Sequence, residues 1–459
     1  MYDNQGGLSA GKNIELQRAL NDAETNIVGR DPALRAQIHP LTQERGLTLP
    51  ITAAPLAAAN LTIVQHQVNG CIQFVFPVQG AQPVPQLTPQ APHYAFGFIQ
   101  PRQLADSAMA GGLLDWSVKA ALHVAQDSIS LAVVREIEKH SKPEGFIALS
   151  RGYGALATQD ELSAAKNQKV LLFVHGIFSS TGGGFGDLGG PDCAAGAVNA
   201  GCMGRLLARY DNRVFGYDHW TIGKTPLQNA IDLLNAIPAG ANWDVDIVCH
   251  SRGGLVVRSL LAMLAADAQP ANADLLQIAA LRTGRIASIG KAYFVAAANQ
   301  GSPLADSDDI RDFLNVAALL ASGSSCLALD VVIGLAKYVV SSGFSLPSVQ
   351  ELNSGSSLIE DLNNAATMLD AATTYYVRAD FDFSASRLLS VGMYLDRYVM
   401  KVDNDLIVPY DGLPMPQFAP QDDHWLNFGT PVAKQGEVWH TEFFGQAQTQ
   451  QFLLAGLSP

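Results

Sequence analysis

The sequence predicts an α/β fold, a mostly parallel, doubly wound sheet with helices on both faces, preceded by a smaller mixed domain that is partly β. Three observations lead there. Continuous apolar runs such as "KVLLFVHG" (169–176), "RVFGYDH" (213–219) and "WDVDIVCHS" (243–251) have the texture of strands buried on both faces. Segments of helical spacing lie between them, and strands alternating with helices imply parallel pairing through crossovers. Ahead of residue 166 the texture differs, with hairpin chemistry and a Pro-rich loop.

In chain order, residues 1 to about 45 are polar and weakly patterned and read as an arm. "LTIVQHQVNGCIQFVF" (61–76) puts Asn69-Gly70 between two apolar runs, with Ile72, Phe74 and Phe76 alternating on one face. Asn-Gly accepts the positive φ of a type I′ turn, so a hairpin is expected. A Pro-rich loop follows at 78–92. Over 112–140, Leu114, Val118 and Leu122, then Ile129, Val133 and Ile137, recur every four residues and predict a helix. Together these segments form an N-terminal region, 1–165, in which no chemistry is visible. Residues 166–459 hold the sheet, completed by "KAYFVAAA" (291–298) and "TTYYVRAD" (373–380). "PLQNAIDLLNAI" (226–237) and "GLVVRSLLAMLAAD" (254–267) supply helices between strands.

Composition narrows the function. With 48% apolar and 15% charged residues over 459 positions, the chain can bury a large core. A net charge of −13, with no Lys/Arg cluster, argues against a nucleic-acid surface. The N-terminus has no basic start followed by an apolar core, so no secretion signal is visible and a cytoplasmic location is expected. The most lipid-like stretch, 316–340, is broken by Gly323, Ser324 and Ser325 and contains Asp330 and Lys337, which is wrong for a membrane span. Five scattered cysteines make no disulfide framework, although Cys193 and Cys202 share one loop, and no Cys-x-x-Cys suggests zinc. "TGGGFGDLGGPD" (181–192) lacks the ending of a phosphate loop, and Asp422 with Asp423 offers too few carboxylates for calcium. No metal or cofactor is expected.

The chemistry concentrates in "DIVCHSRGGLVVRSL" (246–260), where an apolar strand runs through a serine into an apolar helix. A serine hydroxyl needs a base to take its proton, a carboxylate to orient the base, and amides to hold the oxyanion. A sharp strand-to-helix turn exposes the serine, and small neighbours let strand and helix pass closely. Gly253 and Gly254 meet that need beyond Ser251, while Cys249 stands where glycine is expected. Ser251 could instead be a helix N-cap. "LLFVHGIFSS" (171–180) ends a buried strand in His-Gly and then a loop. The amide of Ile177 would be one oxyanion donor and that of Arg252 the other, with His175 as a structural ring. "KVDNDLIVPYDG" (401–412) offers Asp403 and Asp405, and "GEVWHTEFF" (436–444) offers His440. The order Ser251, Asp405, His440 suits a Ser–Asp–His site; Asp403 and Asp380 are alternatives for the acid and His424 for the base.

From about 166 to the C-terminus the chain resembles bacterial α/β-hydrolases of the lipase and esterase type, and more narrowly a triacylglycerol-lipase-like group with an "HSRGG" elbow. The resemblance rests on ordered blocks: "LLFVHGIFSSTGGGFG", "VFGYDHWTIGKTPLQNAIDLL", "VCHSRGGLVVRSL", "FVAAANQGSPLAD", "SVQELNSGSSLIEDLN", "NDLIVP" and "VWHTEFF". It implies an α/β-hydrolase fold, Ser251 as nucleophile, Asp405 as acid, His440 as base, and oxyanion amides at Ile177 and Arg252. In such a fold the insertion at 303–370 is a helical cap over the site. Phe178, Phe313, Leu314, Leu319, Leu327, Val331 and Leu335 are its candidate acyl-contacting residues. The implied activity is hydrolysis of short- to medium-chain acyl esters, a small-molecule reaction with at most transient lipid contact through the cap. An amidase, peptidase or acyltransferase would use the same residues, and a non-catalytic scaffold could keep the fold.

Overall fold

The strand that leads into Ser251 is pinned near its middle by a buried carboxylate. The computed structural model describes residues 143–189, 201–263, 273–305, 346–381, 402–405, 407–429 and 438–457, with Glu138 and the backbone of six N-terminal strands. The chain divides into two compact units, residues 1–141 with 321–344 and residues 142–320 with 345–459.

The first unit contains β1 (Gln37–Pro40), β2 (Thr48–Pro50), β3 (Leu61–Val68), β4 (Cys71–Val75), β5 (His93–Ala95) and β6 (Trp116–Val124). β1, β6, β3 and β4 form one antiparallel sheet in that order, and β2 pairs with β5. Val68 lies opposite Cys71, the register of a hairpin with two residues between its strands. The helix expected over 112–140 is corrected over 116–124 by β6, while Ile129, Val133 and Ile137 lie outside the described residues. A spacing of four is even, so it suits one face of a regular strand as well as one face of a helix and does not by itself separate the two.

The second unit holds a seven-stranded sheet: β7 (Gly145–Ala148), β8 (Lys169–Val174), β9 (Val214–Asp218), β10 (Trp243–His250), β12 (Ile286–Val295), β14 (Thr374–Ala379) and β15 (Trp425–Phe428). β11 (Ala262–Met263) and β13 (Ala366–Thr367) pair separately. The spatial order is β15-β14-β12-β10-β8-β9-β7, parallel except for β7, which runs antiparallel to β9. Its described helices are α1 (Gln159–Ala164), α2 (Thr181–Phe185), α3 (Gly201–Arg209), α4 (Pro226–Ala236), α5 (Gly253–Leu261), α6 (Ala273–Arg282), α7 (Pro347–Gln350), α8 (Ser357–Asn364) and α9 (Ala447–Gly456). This is the α/β-hydrolase fold. The unit also begins earlier than residue 166, because β7 completes the sheet edge and Lys224 Nζ reaches Glu144 Oε2 at 2.5 Å. β7 is four residues long, too short for a pattern to announce it.

Burial explains the continuous apolar runs. Leu171, Phe173, Val248 and Val295 pack with Leu206 of α3 and Leu453 of α9 in one core. α4 packs on α5 and α6. From β8 the chain goes first to β9 on one side and then to β10 on the other. The loops after β8 and β10 therefore leave adjacent strand ends in opposite directions and open a crevice there.

In the middle of β10, Asp246 is buried. Its carboxylate accepts from Tyr210 Oη (2.5 Å) and the Lys291 amide (2.6 Å), and Lys169 Nζ lies 3.1 Å away. One side chain thus ties β8, β10, β12 and the end of α3. Asp246→Ala leaves the Tyr210 hydroxyl buried without its acceptor. It should cost about 3 kcal/mol in urea-induced unfolding, against well under 1 kcal/mol if the network were incidental.

Candidate active site

Ser251 follows the last residue of β10 and sits at φ +55, a left-handed conformation uncommon for serine. Main-chain bonds fix it there. Its N–H donates to the Val295 carbonyl (3.2 Å), and its carbonyl accepts from the amides of Gly254 (3.0 Å) and Ala298 (3.2 Å). Three glycines make room. A Cβ on Gly253 would stand 2.4 Å from the Val174 carbonyl oxygen, and one on Gly254 would stand 2.6 Å from Ala297 Cβ. A Cβ on Gly176 would stand 2.6 Å from Ser251 Cβ. Cys249, by contrast, is an ordinary strand residue opposite Phe294 and Val174, its buried Sγ–H directed at the Tyr293 carbonyl (3.5 Å). Burial pushes that thiol well above its usual range. The close approaches fall at 176, 253 and 254, so the turn forms without glycine at 249.

The N-cap alternative for Ser251 is not what the structure contains. The N-cap of α5 is Arg252, with no side-chain capping bond. The Ser251 hydroxyl instead lies 2.8 Å from His440 Nε2, and His440 Nδ1 lies 2.9 Å from Asp405 Oδ2. Asp405 Oδ1 accepts from the amides of Ile407 (3.0 Å) and Val408 (2.7 Å), which fixes the carboxylate. A carboxylate accepts, so Nδ1 carries the proton and Nε2 offers its lone pair to the serine. All three residues are at most 5% exposed. Asp405 belongs to the connection between β14 and β15, and the Phe381 amide donates to the Asn404 carbonyl (3.0 Å), returning that connection to the sheet end. Ser302 Oγ donates to the Ile407 carbonyl (2.5 Å) and steadies the same turn.

The carboxylate that His440 Nδ1 meets is that of Asp405. His424 bonds through Nδ1 to the Thr374 carbonyl (3.0 Å) and stacks on Tyr375. The Asp403 carbonyl accepts from the Tyr410 amide (2.7 Å), and Asp380 donates its amide to the Phe428 carbonyl (2.8 Å).

The loop after β8 is held from behind. His175 Nδ1 bonds to the Gly176 carbonyl (2.8 Å), and His175 Nε2 accepts from the His219 amide (3.2 Å). The second bond leaves the proton on Nδ1, and the two rings stack at 4.0 Å. Phe178 N–H donates to Thr221 Oγ1 (3.0 Å) and Thr181 N–H to Asp218 Oδ1 (2.6 Å). Carbonyl and following amide point opposite ways in a trans peptide, so holding the Gly176 carbonyl also aims the Ile177 N–H. Phe178 itself is buried, at φ +54. Phe313, Leu314, Leu319, Leu327, Val331 and Leu335 lie outside the described residues, as do Cys193 and the 316–340 stretch.

Two side chains beside Ser251 gained no role from the sequence. Arg252 is fully buried, its guanidinium donating to Asn229 Oδ1 (2.9 Å) and the Lys224 carbonyl (2.6 Å). His250 Nε2 lies 2.8 Å from the His440 carbonyl oxygen. Each partner is distant in sequence, so no local signal announced them. Among the described residues, no group of three or more His, Cys, Asp or Glu could hold a metal ion, and no helix is long and apolar enough to cross a membrane.

Among solved structures the chain is similar to the mature lipase of Bacillus licheniformis, at 16% identity over 64% of this chain and 93% of that one, with a TM-score of 0.35. It is also similar to lipase 1 from Pelosinus fermentans (14% identity, 63% and 95% covered, TM-score 0.39). A third is the lipase of Staphylococcus hyicus (15% identity, 62% and 91% covered, TM-score 0.35). No curated protein matches the sequence. The family described as Domain of unknown function (DUF7379) matches residues 136–458, well over half of the chain. The chain belongs to that DUF7379 family.

Proposed function

We propose that this protein is a serine hydrolase that cleaves carboxylic esters with short to medium acyl chains. The observation that carries the reading is the continuous relay from Asp405 through His440 to Ser251, at 2.9 and 2.8 Å, on a turn that holds the serine at φ +55.

In this mechanism His440 Nε2 takes the Ser251 proton as Oγ attacks the ester carbonyl carbon. The amides of Ile177 and Arg252 receive the charge that develops on the carbonyl oxygen. Asp405 keeps the imidazole in the tautomer that can accept a proton and stabilises the imidazolium once formed. His440 then gives that proton to the departing alcohol, leaving the acyl group on Ser251. Water, deprotonated by the same nitrogen, attacks the acyl-enzyme, and the acid leaves as Oγ recovers its proton. An amide substrate would follow the same steps with an amine leaving, and acyl transfer would replace water by an alcohol. The ester reading is tested against both.

Turnover of p-nitrophenyl esters from acetate to palmitate should be greatest at short to medium chain lengths. Ser251→Ala should lower kcat by about 10⁴-fold or more. Full activity in that variant would overturn the assignment, and amide cleavage without ester cleavage would replace it with the amidase reading. A second expectation concerns the loop. His175→Phe fills the ring's space and can still stack on His219, but cannot hold the Gly176 carbonyl. Its kcat should fall by up to about 100-fold, the scale of a lost oxyanion donor. An unchanged kcat in the folded variant would mean that the loop aims Ile177 without His175.

A further inference from the structure

His250 immediately precedes Ser251 in the chain. Its residue is 7% exposed, with the ring packed edge-on against Phe444 at 5.8 Å and beside the His440 ring at 4.8 Å. Nε2 faces the His440 carbonyl oxygen at 2.8 Å. A carbonyl can only accept, so Nε2 carries the proton and donates it. Nδ1 is buried and meets no hydrogen-bond partner among the described residues. A second proton there would be buried with nothing to accept it. Burial first, then the neighbouring His440, push the pKa down to about 3, so the ring keeps one neutral tautomer through the neutral range.

His440 lies in a stretch that is neither helix nor strand, so no ladder of regular bonds holds its backbone. Among the described residues, four hydrogen bonds hold it instead. Its N–H donates to the Asp405 carbonyl (3.0 Å) and its Nδ1 to Asp405 Oδ2 (2.9 Å). Its carbonyl accepts from His250 (2.8 Å) and its Nε2 meets the Ser251 hydroxyl (2.8 Å). Asp405 makes two of these bonds and the consecutive residues His250 and Ser251 make the other two. The strand that presents the nucleophile thus also grips the main chain of the base.

We propose that His250 is a positioning residue for the reaction, clamping the His440 carbonyl so that the imidazole keeps hydrogen-bonding reach to Ser251 while it passes the proton. The proposal rests on the roles given above to Ser251, His440 and Asp405. A base displaced by about 1 Å can lose up to about 100-fold in rate while substrate binding is untouched. The clamp should therefore act on kcat and spare KM.

The test is steady-state hydrolysis of p-nitrophenyl butyrate by the full chain, comparing wild type, S251A, H250L, H250N and H250Q, with thermal unfolding as the check on folding. Leucine fills the space of the ring without a donor. Glutamine carries an N–H near the reach of Nε2, and asparagine is as polar but too short. H250L and H250N should lose about 10- to 100-fold in kcat with little change in KM, and H250Q should recover most of that loss. If H250L fails to fold, the difference between H250Q and H250N carries the same information. Wild-type kcat in H250N, equal losses in H250Q and H250N, or a change confined to KM would overturn the clamp while Ser251-dependent turnover still upheld the hydrolase. Absence of turnover in folded wild type would overturn both.

Discussion

A serine held at φ +55 constrains everything around the site. An L residue in that region costs on the order of 1–3 kcal/mol, and it persists only where its surroundings leave no alternative. Here the surroundings are main chain. Val295 takes the Ser251 amide, and the amides of Gly254 and Ala298 share its carbonyl. The glycines at 176, 253 and 254 then follow as necessities, since a Cβ at any of them would stand 2.6 Å or less from another atom. The strained turn is thereby braced by the neighbouring strands β8 and β12 and by the first turn of α5.

The same bracing organises the groups that meet the hydroxyl. The crevice between the ends of β8 and β10 brings Gly176 against Ser251, and the paired rings of His175 and His219 fix the loop from the buried side. Asp405 and His440 come from connections far along the chain, yet each is tied back by main-chain bonds, Asp405 through Ile407 and Val408, His440 through the Asp405 carbonyl and His250. In the middle of β10, Asp246 joins the neighbouring strands. Position is supplied by backbone and buried polar contacts, and the reacting side chains add only their chemistry.

Much of this was legible in the sequence, for a physical reason. Strands buried on both faces must be continuously apolar, so β8, β9, β10, β12 and β14 are visible as runs. Small residues at a strand-to-helix turn mark Ser251, and the order Ser, Asp, His favours Asp405 and His440, which the structure brings within hydrogen-bonding distance, while leaving Asp403, Asp380 and His424 as alternatives. The unread parts have physical reasons too. A spacing of four suits helix and strand alike, which concealed β6. β7 is a four-residue edge strand with no room for a pattern. The contacts of His250, Arg252, Asp218 and Thr221 join residues remote in sequence, and no local spacing records them. Cys249 stands where the usual glycine is expected, and it is tolerated because the close contacts fall at other positions.

The most direct test of this account is covalent labelling of the folded chain by a fluorophosphonate, with the modified peptide located by mass spectrometry. The account predicts one adduct per chain, on Ser251, whose rate of formation collapses in His440→Ala. No adduct in folded protein, or an adduct elsewhere that ignores His440, would contradict it.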